Sequence, residues 1–269
     1  MAPDSTFAEI DTSVAHSARV YDYWLGGKDN FAADRALGDA MVQAIPTLPA
    51  MARANRAFLG RAVRYLVTEL GVRQFLDIGP GIPAAGSTHE VAQEIAPESR
   101  VLYVDHDPLV LAHARALMTS STTGQTEFIM ADLEQPEKIL ADPALARTLD
   151  LNQPVGLLLV AILMYFHDSD DPQGMVKTLL DGLPSGSYVV ITHPTGDFNP
   201  EAVQGAVAAA TAAGITLVPR SRAGVESFFT GLELVEPGVV PLLAWHPDES
   251  IAGEDPDSVW YYAGVGRKP

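Results

Sequence analysis

From Val72 to Gly214, short apolar runs alternate with helical stretches, and no other feature constrains the fold of this chain as strongly. The runs are "VRQFLDI", "RVLYVD", "TEFIMAD", "PVGLLLVAIL" and "SYVVITH". A glycine-rich turn and a helical stretch to about Ala96 follow the first, and "PLVLAHARALM" follows the second. A helix from about Pro172 to Leu183 follows the fourth, and "PEAVQGAVAAATAAG" the fifth. Strands linked through helices pair in parallel, with helices on both faces of the sheet. The unbroken apolar character of "PVGLLLVAIL" fits a strand buried on both faces. The end of the chain breaks the rhythm. "RAGVESFFTG" reads as a short helix, "LELVEPGVVPL" as a strand with a turn or bulge, and "VWYYAGVG" as a last strand. Two successive strands with no helix between them imply an antiparallel pair. The expected fold class is α/β: a Rossmann-like, mostly parallel sheet of seven strands with an antiparallel last strand.

Ahead of this lies a helical segment. Residues 1–12 read as a loose tail, and Ser13 is placed to N-cap a helix through about Leu25. Gly26-Gly27 ends it. A second helix is expected from Asn30 to Ala44, stopped by "IPTLP". A third is expected from Pro49 to Leu70, with Pro in its first turn and Gly71 past its end. Phe58, Leu59, Ala62, Val63, Leu66, Val67 and Leu70 recur at spacings of three and four, which makes one buried stripe. The expected organisation is a helical extension or lid over 1–70 and a sheet domain over 71–269, forming one structural unit.

Composition excludes several chemistries. The net charge of −17 disfavours nucleic acid, because such affinity rests on Lys and Arg neutralising phosphates. The basic cluster Arg53, Arg56, Arg61 and Arg64 reads as a solvated helix face. With no cysteine, disulfides, thiolate metal sites and cysteine nucleophiles are ruled out. "MAPDSTFAEIDTS" lacks the basic and apolar regions of a signal peptide. "PVGLLLVAILMYF" is shorter than the ~20 residues a membrane helix needs. A cytoplasmic protein without a membrane or nucleic-acid partner is expected. No His, Asp or Glu cluster has metal-ligand spacing; His246 and Asp248 fall in the acidic surface loop "HPDESIAGEDPDS".

Chemistry concentrates in "FLDIGPGIPAAG". An apolar strand delivers Asp77 and then Gly79, Pro80 and Gly81. Ligands of open α/β sheets bind outside the C-terminal strand ends, where glycines admit close approach of the backbone. "GPGIPA" formally matches the dinucleotide fingerprint G-x-G-x-x-G/A, which would make the chain an NAD-dependent oxidoreductase. Pro83 sits inside that match, however, and Asp77 would aim a negative charge where a pyrophosphate should lie. A cofactor without phosphates suits the acid better, and D-x-G-x-G is how S-adenosylmethionine methyltransferases begin. Asp105, ending the second strand, can accept hydrogen bonds from both ribose hydroxyls of either cofactor. Asp132, closing the third, can accept from an adenine amino group or can N-cap the next helix. The flanking residues His106, Leu133, Ala161 and Ile162 join these as cofactor-binding candidates.

The segments "ARVYDYWLGGKDNFAADR", "ARANRAFLGRAVRYL", "QFLDIGPGIPAAGSTHEVAQ", "VLYVDHDPLVLAHARALM", "LLLVAIL", "LVPRSRAGVESFFTGLELVEPGVV" and "YYAGVGRK" occur in this order. Together they resemble the S-adenosyl methyltransferase family once catalogued as a domain of unknown function, from about Ile10 to Lys268. The resemblance implies a class I methyltransferase fold with an N-terminal helical part, S-adenosylmethionine as cofactor, and no defined acceptor. It also implies that the N-terminal helices lie over the cofactor mouth as a lid. There Tyr21, Tyr23, Trp24 and Phe31 can cover an adenine or a sulfonium, or can simply dock the helices, the better reading for Trp24 and Phe31. Ligand contact is favoured for Tyr23, and for Arg19 against the cofactor carboxylate. Asn30 can cap the second helix or reach the ligand. Asn55 and Arg56 can face the pocket or bridge helices.

Methyl transfer is an in-line displacement, so the protein chiefly positions a nucleophile. A hydroxyl or amine acceptor can also need a base, for which Tyr165, His167 and His193 are the candidates after the fourth and fifth strands. Similar proteins often carry His about where Met164 stands, so that role, if it exists, is lost here or moved to His167. No N-P-P-Y run follows the fourth strand, which disfavours methylation of nucleobase or glutamine nitrogen. The expected activity is methylation of a small molecule. The alternative is a regulatory module that binds S-adenosylmethionine or S-adenosylhomocysteine without turnover.

Overall fold

The computed structural model describes residues 11–117 and 120–269. Most of the expected N-terminal tail and Met118 therefore lie outside the described residues.

Among the described residues three helices precede the sheet: α1 (Ser17–Trp24), α2 (Ala32–Ala44) and α3 (Leu48–Thr68). The first starts later than expected. His16 holds its N-cap position, while the Ser13 hydroxyl turns back to the Asp11 carboxylate at 2.6 Å. The second starts after Phe31, whose amide donates to Asp34 at 2.8 Å. α3 carries the expected stripe. Phe58, Leu59, Ala62, Val63, Leu66 and Val67 are all buried, whereas Leu70 lies beyond the helix end and is half-buried.

Ten more elements follow to the end of the last parallel strand. They are β1 (Gln74–Ile78), α4 (Thr88–Ile95), β2 (Arg100–Asp105), α5 (Pro108–Leu117), β3 (Gln125–Met130), α6 (Pro136–Ala141), α7 (Pro143–Thr148), β4 (Gly156–Val160), α8 (Pro172–Asp181) and β5 (Tyr188–Pro194). α6 and α7 are too short to leave an apolar period in the sequence. After β5 come α9 (Pro200–Ala212), α10 (Arg222–Glu226), β6 (Glu233–Leu234), β7 (Val240–Pro241) and β8 (Tyr261–Arg267).

The sheet runs β3-β2-β1-β4-β5-β8-β6, with β7 also on β8. The first five strands are mutually parallel, and β8 runs antiparallel to β5. Among the described residues the strand count is eight, not the seven expected. "LELVEPGVVPL" does not form one bulged strand. Pro237 offers no amide hydrogen, and Gly238 turns the chain at φ 84°. The segment therefore contributes two residues at each of two places on β8, opposite Gly266–Arg267 and opposite Tyr262–Ala263.

Side chains alternate across the sheet. Phe75, Tyr103, Leu158 and Val190 face α3 and α9 in one core. Leu76, Leu102, Leu157 and Ile191 face α7, α8 and Phe228 in the other. Chain order reverses between β1 and β4, which leaves a crevice at their C-terminal ends. α3 crosses beside that crevice, fixed by Trp245, which is fully buried and meets the Phe58 ring edge-on at 5.4 Å. Phe58→Ala is expected to lower unfolding free energy in urea by about 3–5 kcal/mol, the range for deleting a buried aromatic side chain.

Candidate functional site

The crevice opens into a cavity of about 330 Å³. The turn after β1 supplies one wall, with Asp77, Gly79, Pro80 and Gly81. Asp105 and His106 come from the end of β2, Asp132 and Leu133 from beyond β3, and Ala161 and Ile162 from beyond β4. Ten of the twelve cofactor-binding candidates thus surround one space.

The backbone explains the glycines. Gly79 and Gly81 have φ of 69° and 68°, a region that side chains disfavour. A Cβ on Gly79 would also sit 2.6 Å from Ile162 Cδ1. Ala161 takes φ 55° without being glycine, and it turns the chain out of β4 against the cavity wall.

Glu134 and three aspartates line the cavity, and the aspartates differ in their partners. Asp77 is buried and accepts a hydrogen bond from Thr88 Oγ1 at 2.6 Å. Burial raises its pKa to about 6; the Thr88 bond and Arg56 oppose the rise, and Asp105 adds to it. Asp105 accepts from the Asp107 amide at 3.0 Å and the Gly81 amide at 3.3 Å, yet burial still raises its pKa. Asp132 lies two residues past β3 and accepts from the Glu134 amide at 2.9 Å. It therefore closes a turn instead of capping the next helix, whose N-cap position is held by Gln135, and it also lines the cavity.

α1 and α3 contribute the roof. Ser17, Ala18 and Tyr21 from α1 and Asn55 and Arg56 from α3 line the cavity. Tyr21 Oη donates to the Ala52 carbonyl at 3.0 Å and accepts from Asn55 Nδ2 at 3.0 Å. Asn55 Oδ1 accepts from Thr192 Oγ1 on β5 at 2.7 Å, which ties the roof to the sheet. Arg56 donates to the Ala84 carbonyl at 2.7 Å. His16, just before α1, also lines the cavity with its ring 6.0 Å from His106. Its Nδ1 lies 3.1 Å from Asp107 Oδ2, but burial outweighs that carboxylate and lowers its pKa. Sequence reasoning did not single out His16. The available signal was helical phase, since 17, 18 and 21 share a face that 19 and 23 do not.

Arg19 and Tyr23 are not among the lining residues. Arg19 pairs with Asp34 at 3.1 Å, donates to the Asp11 and Val14 carbonyls, and sits over the Phe31 ring. Tyr23 Oη donates to Asp39 Oδ1 at 2.8 Å, and Trp24 Nε1 donates to the Gly38 carbonyl at 3.3 Å. These side chains hold α1 against α2. Asn30 does the same, donating to Asp22 Oδ2 at 2.8 Å.

The base candidates separate. Tyr165 lines the cavity, and burial pushes its phenol well above the ordinary range, so it stays protonated. His167 is exposed and outside the cavity lining. His193 is fully buried; Arg220 Nη1 donates to its Nε2 at 2.8 Å, and its Nδ1–H donates to the Pro194 carbonyl at 2.9 Å. Burial lowers its pKa to about 4, so it is a neutral structural histidine. Met164 is buried and lines a second, apolar cavity. The four arginines of α3 do not form one solvated face: Arg53 and Arg64 are exposed, while Arg61 is buried and donates to the Leu242 carbonyl at 3.2 Å. Among the described residues no group of three metal-ligating side chains occurs, and no helix is long and apolar enough to cross a membrane.

Crevice, glycine turn and strand-end acids define a Rossmann-like nucleoside-cofactor protein. The S-adenosyl methyltransferase family model matches residues 3–269, and the chain belongs to that family. A DUF574 family protein from Streptomyces avermitilis is similar over 96% of this chain and 99% of its own, at 47% identity and a TM-score of 0.93. A Thermobifida fusca protein classed as a candidate methyltransferase matches at 41% identity and a TM-score of 0.87, covering 96% of each chain. An S-adenosylmethionine-dependent methyltransferase from Anabaena variabilis shares the fold at 13% identity and a TM-score of 0.52, over 94% of this chain and 96% of its own. No curated protein matches the chain. The family assignment decides against NAD: the protein is an S-adenosylmethionine-dependent methyltransferase.

The buried Arg19–Asp34 pair generates a prediction opposite to the one from sequence. Arg19→Met should lower stability by roughly 3–5 kcal/mol, the range for stranding a buried partner. In calorimetry, S-adenosylhomocysteine affinity should change less than it does on substituting a cavity carboxylate.

Proposed function

We propose that the protein binds S-adenosylmethionine in the 330 Å³ cavity and methylates a small molecule in the cytoplasm. One observation carries this reading: three carboxylates from the ends of three adjacent parallel strands surround one glycine-walled space. The donor set fits the cofactor. Asp77 is a buried carboxylate held at a raised pKa, and a cationic ammonium beside it would favour its charged form. Asp105 retains lone pairs beyond its two backbone bonds for the ribose hydroxyls. Asp132 and Leu133 are available to the adenine, and Ala161 and Ile162 to the side facing β4.

The cofactor supplies an electrophilic methyl group on a sulfonium. The protein's own task is then positioning and exclusion of water. Tyr21, Asn55 and Arg56 form a hydrogen-bonded roof. Tyr165, held as a phenol, can donate a hydrogen bond but cannot take a proton at neutral pH. Tyr165 is therefore not a base at this wall. A net charge of −17 favours a small acceptor over a phosphate polymer. The division into a roof over 1–70 and a sheet unit over 71–269 follows the same logic, with the helical part covering the site.

Calorimetry with S-adenosylhomocysteine, S-adenosylmethionine and NAD tests the reading. Micromolar binding of either adenosyl ligand and none of NAD is expected. Asp105→Ala should weaken adenosyl binding about 100-fold, as two charge-assisted bonds of roughly 1.5 kcal/mol each require. Unchanged affinity in that variant would refute the site.

Asp77 adds a pH signature. Its pKa rises from 3.8 to about 6 on folding, so the free protein loses stability as pH climbs through that window. The shift corresponds to roughly 3 kcal/mol carried at neutral pH. Asp77→Asn should accordingly raise the melting temperature of the ligand-free protein at pH 7 while weakening cofactor binding. Wild-type affinity should be flat above pH 6 and fall up to tenfold per pH unit below it, because the proton must leave before a cation is favoured. The Asn variant should lose that slope.

A further inference from the structure

A second cavity, of about 60 Å³, lies on the other side of α1. Its walls come from α1, α2, the start of α3, α9, the segment 215–219 and Trp260–Tyr261. Ser17 and Tyr165 line both cavities, so the two spaces meet at these side chains. Their chemistry is opposed. The first holds three aspartates and an arginine; the second carries no Asp, Glu, Lys, Arg or His among its described lining residues.

The second cavity is also built to yield. Three of the protein's methionines, Met41, Met51 and Met164, face it, and methionine adapts its shape and contacts aromatic rings favourably through sulfur. Trp24 and Trp260 add flat apolar surface. The space exists because α9 presents Ala206 and Ala210, both buried, where larger side chains would close it. Its 60 Å³ is well under the roughly 150 Å³ of an apolar cavity that takes benzene, so even a single ring enters only as the methionines shift.

Sheet order sets the relation between the cavities. Asp105 and Asp132 would hold a nucleoside at the ends of β2 and β3, and Asp77 an ammonium at the end of β1. The side beyond β4, formed by Ala161, Ile162 and Tyr165, carries no carboxylate, and the apolar cavity meets it at Tyr165, beside Met164 and Pro194. We propose that this apolar cavity is the acceptor site and that it takes an uncharged, single-ring aromatic molecule whose nucleophile points towards Ser17 and Tyr165. The proposal rests on the cofactor reading above. A charged ring is excluded, because no wall residue would pair its charge on desolvation.

The test is saturation-transfer NMR on protein loaded with S-adenosylhomocysteine, using aniline, benzylamine and benzoate as probes. At neutral pH these present similar rings with no charge, a positive charge and a negative charge. Aniline alone should receive saturation. Ala210→Leu, which fills the cavity from α9, should cut its signal at least fivefold, and Leu217→Trp should do the same from the opposite wall. Calorimetric S-adenosylhomocysteine affinity within twofold of wild type shows that each variant is folded. The proposal is overturned if aniline gives no signal, if either charged ring binds as well, or if both filling variants leave the aniline signal intact. Failure of wild-type protein to bind S-adenosylhomocysteine is a separate result, read in the calorimeter before any probe is added, and it removes the cofactor reading together with this one.

Discussion

Asp34 is fully buried and accepts three hydrogen bonds, from the His16 amide at 2.8 Å, the Phe31 amide at 2.8 Å and the Arg19 guanidinium at 3.1 Å. The first fixes where α1 begins and the second where α2 begins, so one carboxylate sets the angle between two helices 15 residues apart. A buried ion must be paired and hydrogen-bonded to persist, which allows it few alternative arrangements. Both cavities depend on the outcome. The larger cavity takes its roof from Ser17, Ala18 and Tyr21, and the apolar cavity takes a wall from Val20 and Trp24 on other faces of the same helix. Stability and site geometry are joined here through a residue that touches neither ligand space.

At the sheet, the electrostatic balance runs the other way. Asp34 has its cation, whereas Asp77 and Asp105 have none close enough to offset burial, and both pKa values are raised. Arg56 pulls Asp77 down, but less than burial pushes it up. Such an arrangement is unfavourable in the free protein. Raised pKa values at a cavity wall are a general mark of ligand sites. In this chain they coincide with the glycines at positive φ and with the topological switch point.

The strand-end acids were legible in the sequence because position within a β-α repeat is a local property. A run such as "QFLDIGPG" carries its strand, its acid and its turn in consecutive residues, and β1 and β2 end within a residue of Asp77 and Asp105. The roof was legible only as helices. Arg19 reads as a free cation until Asp34, 15 residues on and around a double-glycine turn, is known to be beside it. Tyr23 reads as a stacking residue until Asp39 is found to accept its hydroxyl proton. His193 reads as a base until Arg220 appears at its Nε2, in a segment with no periodic pattern. The splitting of one expected strand into β6 and β7 has a similar cause. Both pieces are two residues long and exist by virtue of β8, so intrinsic preference contributes little to either.

The two cavities also differ in how they tolerate change. The acidic side is held by backbone geometry and buried carboxylates, so a small substitution there meets either strain at positive φ or an unpaired charge. The apolar side is held by methionine and alanine, whose replacement by other apolar residues alters volume before it alters the fold. A chain built this way can keep the first cavity while the shape of the second drifts. Ser17 and Tyr165 are the exception, because they belong to both walls. Any change at either position reshapes both spaces at once, so neither can drift there without the other.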